Sequence, residues 1–530
     1  MAIPQWSPPV KLSDDEAGVM ARLTRVKKLF GFLREYRHVI FDAKFHEELV
    51  EMYRKTGAGK APKAPAMLAM VMLLQGYTTA SDAEAVELSV MDRRWQLVLG
   101  NLGSKEPLFS QGVLPDFRRR MIATEMDRRL LERTVEVARQ SGAFDAKKLP
   151  NSLRVAMDSS PFEGAGRVED TFNLLGHAGR KIVECAAAMA EIDVAQVALQ
   201  AGIPLLAEGL SIKAALDINW ASDVEKNHAL QKLVGQLDAL TQWVTTTMPQ
   251  LAGVQPLSPY IQALQQVRTQ DLDETEGKVQ IRQGVAADRR ISIEDSEMRH
   301  GRKSKSKKFN GYKRHVTTDL DTRLILACAV TPANQPEEAA AEMMNADVER
   351  MKLCIDELNI DLGYMASPLV NEVEARGGEV VCKPWPARGA MPGMFTKTDF
   401  KINIRLRTIT CPNNHSEHFE PGETVQFPPE ACGNCPMRSK CTMAAVGRGR
   451  SVNIAEDEQR QQRLRKAQAT ARGRMRHRER VGVEHRLAHL SARQGKRARY
   501  LGVRKNLLDV RRAAAIQNLE ALHLERRGAA

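Results

Sequence analysis

From the start of the chain to about residue 150, apolar positions recur at helical spacing. The run KAPAMLAMVMLLQGYTTASDAEAVELSVMDRRWQLVLG predicts two apolar helices separated by a break at Gly76. Ser81 followed by Glu84 predicts a capping box at the start of the second helix, and Trp95 and Phe117 read as core. The texture changes at SLRVAMDSS, where Leu153, Val155 and Met157 alternate with polar residues and predict a short strand with Asp158 at its tip. A helical stretch over roughly 168–290 follows. Then NGYKRHVTTDLDTRLILACAVTPAN offers two β-rich runs around DLD, the pattern of an antiparallel hairpin. A helix is predicted over roughly 336–356. After it, NIDLGYMAS puts Asp361 where a strand gives way to a glycine turn, and GEVVCKPW reads as a further strand. Near the end, RMRHRERVGVEHRLAHL predicts an arginine-rich helix that holds Glu484.

Strand, hairpin, helix, strand, strand and later helix is the element order of a ribonuclease-H-like (retroviral-integrase-like) α/β fold. Asp158, Asp361 and Glu484 each sit on an element that such a fold can bring to one point. The chemistry suits that trio. In-line attack on a phosphodiester is commonly catalysed by two divalent cations roughly 4 Å apart, one activating the nucleophile and one stabilising the leaving oxygen. Carboxylates supply the hard oxygen ligands that Mg2+ or Mn2+ require, and they leave positions open for water and phosphate. Taken singly, an acidic residue at a strand end more often caps a helix or sits in a turn, and ion pairing on a solvated helix is the alternative reading of Glu484.

Composition bounds the alternatives. The chain has 530 residues, 43% hydrophobic and 27% charged, enough for two to four domains with cores of their own. Its longest apolar run, Ala66 to Leu74, falls short of the roughly 20 residues that span a bilayer, and the start lacks a signal-peptide pattern, so a cytoplasmic protein is expected. Between Ala445 and Ala530, 22 Lys+Arg stand against 8 Asp+Glu, a balance of +14 that accounts for the whole net charge of +13. Apolar residues recur through that segment (Leu464, Met475, Val483, Leu487, Leu490, Leu501, Val503, Leu507, Leu508), which predicts packed helices with a basic face suited to nucleic-acid phosphates. The basic run Arg302, Lys303, Lys305, Lys307, Lys308 fits either a DNA path or a solvated loop. His177, His300 and His315 lack metal-ligand spacing and receive no catalytic role.

Four of the eight cysteines are scattered, which argues against a disulfide framework, and four cluster as Cys411-x20-Cys432-x2-Cys435-x5-Cys441. Pro412, Gly433 and Pro436 supply tight turns around them. Four thiolates bind Zn2+ tetrahedrally and hold together a segment with little apolar core, so a structural zinc-ribbon-like site is expected, with His415 or His418 as an alternative to one sulfur.

Several stretches carry a family resemblance: LAMVMLLQGYTTASDAEAVELSVMDRRWQ with LPDFRRRM, AMDSSPFEGAGRVEDTFNLL, DSEMRHGRKSKSKKFNGYKRHVTTD, VTPAN, DLGY, TCPNNH with CGNCPMRSKCT, and RERVGVE. In this order the chain resembles a DDE transposase of bacterial insertion sequences, IS4-like, from the branch with a helical N-terminal domain and a cysteine-bearing insertion. The resemblance implies metal-dependent DNA cleavage at element ends and strand transfer into target DNA, with Asp158, Asp361 and Glu484 holding two Mg2+ ions. It implies four segments: a helical DNA-binding domain at 1–150, which would choose the sequence; a first core part at 151–392 with a helical insertion; a cysteine-rich insertion at 393–445; and a last core part at 446–530. Terminal inverted repeats and target DNA are the implied partners, with a homodimer in the complex and a bacterial, nucleoid-associated location. Such enzymes often carry Tyr-x2-Arg-x3-Glu-x6-Lys around the glutamate. Here Arg480 keeps its place, His477 stands for the Tyr and Ser491 for the Lys, with Arg493 or Lys496 as substitutes in contacting DNA. On one continuous helix, positions −7, −4 and +7 from Glu484 would share its face. The alternatives are a non-catalytic DNA-binding regulator and a domesticated transposase that binds without cutting.

Overall fold

The computed structural model describes residues 3–23, 28–53, 61–145, 147, 149–207, 209, 211–275, 278–387, 391–445 and 447–529. The chain is mixed α/β with a helical N-terminal region; among the described residues the first strand begins at Ser152. It divides into two compact units, residues 1–151, 158–354 and 483–530 in the first and residues 152–157 and 355–482 in the second. Val446, where a last segment is expected to begin, lies outside the described residues.

In the first unit, the helix Pro65–Thr78 is buried on every side from Pro65 to Gly76, and a helix apolar all round belongs inside a core. Proline at its first turn has the fixed φ that a helix start needs. The break expected at Gly76 is absent: the helix runs two residues further and ends at Thr79, whose φ is 62°. Gly76 serves close packing instead. A Cβ there would lie 2.7 Å from Ile516 Cδ1 and 3.1 Å from Arg512 Nε of the helix Val503–Ala529. Ser81 and Glu84 form the expected capping box, and Trp95 and Phe117 are buried.

A buried ion pair fixes the start of this unit. Arg34, 1% exposed, donates from Nε and Nη2 to the two carboxylate oxygens of Glu16, both at 2.7 Å, while Glu16 also completes a capping box with Ser13. The Arg34 hydrogen bond holds the Glu16 carboxyl below its ordinary range. Glu16→Gln strands the buried guanidinium, and a loss of about 3–5 kcal/mol at neutral pH is expected. A carboxylate with a depressed folded pKa contributes stability that is present above its unfolded pKa and lost as pH falls through the folded one. The gap between wild type and variant therefore narrows in acid. Denaturant unfolding at neutral and acidic pH checks this; equal midpoints at neutral pH would contradict it.

Among the described residues, eight strands precede the cysteine-rich segment: β1 (Ser152–Glu163), β2 (Leu272–Thr275), β3 (Lys278–Ile281), β4 (Arg299–Arg302), β5 (Lys308–Asp319), β6 (Ile325–Pro332), β7 (Cys354–Asn359) and β8 (Glu379–Val381). Their hydrogen-bonded order is β4-β5-β1-β7-β8, with β6 also on β5 and β2 paired with β3 alone. The expected hairpin is β5 and β6, antiparallel from Tyr312↔Pro332 to Thr318↔Ile325 around the turn at 320–323. β7 and β8 are parallel, and the helix Pro368–Ala375 makes the crossover between them. β5 is buried on both faces, and Gly311 within it has a φ of 143°. A Cβ there would fall 2.2 Å from Gly164 N, so β5 lies against the end of β1 only because this residue lacks a side chain.

Three expectations about element limits need correction. Asp158 is not at a strand tip: β1 continues through Ser159, Ser160, Pro161 and Phe162 to Glu163. The helical stretch expected to reach about residue 290 ends at Asp271, where the β2–β3 hairpin takes over; its core gathers Phe172, Leu175, Leu206, Leu233, Leu237 and Leu264. The helix expected over 336–356 is a 3-10 turn, Glu337–Ala340, followed by Ala341–Arg350, since β7 already begins at Cys354.

In the second unit, the cysteine-rich segment contains the strands β9 (Lys401–Asn403), β10 (Thr408–Thr410) and β11 (Ser416–His418), which pair as one small sheet, and β12 (Thr424–Gln426) and β13 (Ser451–Asn453), which pair as another. Its core is Phe400, Ile409, Phe419, Val425, Phe427, Val452 and Ile454, with Cys411, Cys432 and Cys441 packed against it. So few buried apolar side chains are marginal for an independent fold.

Candidate active site

Asp158 lies midway along β1, 9% exposed, and its Oδ1 accepts from the Ser159 backbone N–H at 2.8 Å. Ser159 turns its hydroxyl away to Glu337 Oε1 at 2.6 Å. Two residues on, Ser160 Oγ accepts from Arg314 Nε at 2.9 Å, and Arg314 also lies over the Phe162 ring, 4.6 Å from its centroid. The guanidinium reaches further, donating to Gln494 Oε1 at 2.9 Å and to Ser491 Oγ at 2.6 Å on the helix Val481–Gln494. That helix carries Glu484, exposed, in its first turn, where the positive end of the helix dipole favours a carboxylate.

In the second unit, Asp361 lies two residues past the end of β7 and caps the 3-10 turn Leu362–Tyr364, its Oδ1 accepting from Gly363 N–H at 3.0 Å. This is the strand-to-turn position expected for it. Burial, and then the Asp361 charge, push the nearby Cys382 thiol up to about 12, against an opposing pull from Arg480. His477 is partly buried, and desolvation followed by Lys383, Arg476 and Arg480 lowers its pKa, so it is a neutral ring at neutral pH. Arg480 is not on one helix with Glu484: it is the C-cap of the helix Ala471–Glu479, and the next helix begins at Val481. The single helical face expected for His477, Arg480, Glu484 and Ser491 is thus interrupted, although Arg480 keeps αR backbone angles.

Much of the arginine-rich segment is occupied internally. Arg493 donates to both carboxylate oxygens of Glu520, at 2.7 and 2.8 Å, and lies over the Tyr77 ring. Arg476 pairs with Glu357 and Glu379, Arg460 and Arg463 with Glu374, and Arg511 with Asp127 and Asp347. Of the apolar positions expected to pack, Leu464, Val483, Leu487, Leu490 and Leu508 are buried, whereas Met475 and Leu501 are exposed. Lys496 is exposed, as are Lys303 and Lys305 at the turn between β4 and β5.

Cys411, Cys432, Cys435 and Cys441 do converge. With His415, Phe400 and Phe427 they line one cavity of about 30 Å3, and His418 is not among the lining residues. Burial and, behind an opposing pull from Arg450, the three other thiols raise the Cys441 pKa. His415 Nε2 is 2.7 Å from Glu417 Oε1. The thiols share a cavity without standing as ligands do: among the described residues, no three His, Cys, Asp or Glu side chains form a group able to hold a metal ion.

Sequence reasoning missed Arg314 and Glu337. Arg314 had one legible signal, its place between Tyr312 and Val316 on one face of a strand, where an inward-pointing charge needs partners. Glu337 had none.

Residues 406–523 match a family model described as a transposase DDE domain, and residues 22–120 match a model described as a transposase domain (DUF772). No curated protein and no solved structure matches the chain. Of the three carboxylates, Glu484 falls within the DDE match; the other match covers part of the helical N-terminal region. With the mixed α/β architecture, the DDE match suggests a ribonuclease-H-like core and a DNA-processing enzyme. Two transposase models matching separate parts of one chain support a DDE transposase family for it.

Proposed function

We propose that the protein cleaves DNA at the ends of an insertion sequence and joins them to target DNA by two-metal phosphodiester chemistry. The DDE match, which spans Glu484, carries this reading. The strand order β6-β5-β1-β7-β8 supports a ribonuclease-H-like core of the integrase type, with one candidate carboxylate on β1 and one just past β7. Asp158, Asp361 and Glu484 would hold two Mg2+ or Mn2+ ions, because three carboxylates form the hard-oxygen donor set those cations need. When bound, the ions would polarise the scissile phosphate and activate the attacking oxygen. This chain's own part is to hold the carboxylates and to bind the duplex. Lys303, Lys305 and Lys496, exposed, are proposed to contact phosphates, with Arg480 and His477 beside the reacting strand. Terminal inverted repeats and target DNA are the proposed partners, in a homodimeric, IS4-like complex in the bacterial cytoplasm. Among the described residues, no helix is long and apolar enough to cross a membrane. The deciding experiment incubates purified protein and Mg2+ with duplexes from both flanks of its coding region and scores nicks and joined strands. Binding without Mg2+-dependent cleavage would leave the second reading, a non-catalytic DNA-binding protein.

Structural Zn2+ at Cys411, Cys432, Cys435 and Cys441 belongs to the same proposal. The donors suit zinc, and the small core beside them benefits from a staple. Binding would require the thiols to draw together across their cavity. About one zinc per chain is expected by elemental analysis. Cys432→Ser or Cys435→Ser should lose it together with the fold of this segment. A metal-free protein whose four thiols titrate freely under native conditions would refute the site.

A further inference from the structure

Arg314 is 1% exposed, and its hydrogen-bond partners are Ser160, Ser491 and Gln494, all neutral. Burying a guanidinium is costly, and such groups ordinarily face a carboxylate. Here the carboxylate stands one residue removed: Gln494 Nε2 donates to Asp509 Oδ2 at 2.8 Å, and Asp509 itself pairs with Arg512. Burial holds Arg314 down to about 10, still well above neutrality, so it stays a cation. A site that only needed filling would be served by methionine or leucine. What arginine adds is a planar fork whose donors point in fixed directions.

Those directions lead to two elements of the first unit. Ser160 and Phe162 follow Asp158 by two and four residues on β1, and alternate residues of a strand share a face. Ser491 follows Glu484 by seven residues on its helix, two turns along the same stripe. The guanidinium therefore touches the Asp158 face of the strand and the Glu484 stripe of the helix at once.

We propose that Arg314 is a positioning residue that ties the β1 face carrying Asp158 to the helix stripe carrying Glu484 and thereby sets the separation of these two carboxylates for a divalent cation. The proposal rests on reading both as metal ligands. Residues that support ligands from behind typically change metal affinity by about 10–100-fold when replaced. Arg314→Lys is the informative variant: it keeps the charge, so any electrostatic effect on a bound cation stays constant, and removes the fork.

The test titrates full-length wild type, Arg314→Lys, Ser491→Ala and Asp158→Asn with Mn2+, reading free ion by electron paramagnetic resonance and stability by thermal unfolding. Wild type should bind Mn2+ in a manner lost in Asp158→Asn. Arg314→Lys should bind about tenfold more weakly, and Ser491→Ala should shift the same way by a smaller factor, with cooperative unfolding retained. Arg314→Lys binding within twofold of wild type overturns the positioning role and leaves the ligand assignment standing. Mn2+ binding that Asp158→Asn does not alter overturns the ligand assignment and the positioning role with it. If Arg314→Lys does not fold, Ser491→Ala and Gln494→Ala carry the test, and unchanged Mn2+ affinity in both overturns the proposal.

Discussion

Alanine at Asp158, Asp361 or Glu484 is expected to reduce Mg2+-dependent cleavage and strand joining by roughly a thousandfold or more while DNA binding persists. Metal ions contribute several kcal/mol of transition-state stabilisation, and each 1.36 kcal/mol is a factor of ten in rate. None of the three changes removes a basic group, so duplex affinity and its salt dependence should match wild type. The three differ in their effect on folding. Asp361 caps a turn through Gly363 N–H, so its alanine variant should also lose about 1 kcal/mol of local stability. Glu484 is exposed in the first turn of its helix, so its variant should lose only about 0.3–1 kcal/mol. Gel-shift, cleavage and unfolding measurements on the same preparations separate these effects. Near-normal cleavage by any one variant would remove that residue from the proposed metal set.

A stability loss as large as that at Glu16 is expected at Arg511, which is 5% exposed and bridges Asp127 Oδ2 at 3.2 Å and Asp347 Oδ2 at 3.1 Å. Arg511→Met leaves two buried carboxylates short of a counter-charge, with an expected cost of about 3–5 kcal/mol. Arg504 still holds Asp127, so the strain falls on Asp347, whose pKa burial already raises despite the pull of Arg511 and Arg128. Losing Arg511 raises it further, and the variant recovers part of its deficit as pH falls and Asp347 takes up a proton. Urea unfolding at neutral and mildly acidic pH measures both. A loss below about 1 kcal/mol at neutral pH would show that Arg504 and Arg128 suffice.

Local rules made much of the fold legible. Ser81 with Glu84 marked a helix start, alternation marked β1, and the DLD turn marked the β5–β6 hairpin, because each depends on neighbours in sequence. What depends on distant packing was not legible. Gly76 reads as a helix breaker until Ile516 is seen against it, and Arg493 reads as a free cation until Glu520 is seen to hold it. The positions of Asp361 and Glu484 followed from local pattern. The interruption at Arg480 did not, since Arg480 keeps helical angles and the sequence around it has no proline.

The helix Val503–Ala529 sets a condition on biosynthesis. Asn518 donates to Thr134 Oγ1 and Ile325 O, Arg504 holds Asp127, and Ile516 lies against Gly76, so the N-terminal helices share their core with a segment made some four hundred residues later. At roughly 5–20 residues per second, the ribosome leaves the apolar surface around Gly76 uncovered for about 20–80 s. During that interval the nascent chain is a client for chaperones that hold exposed apolar segments. A message truncated before codon 503 would yield a polypeptide in which the first core never closes.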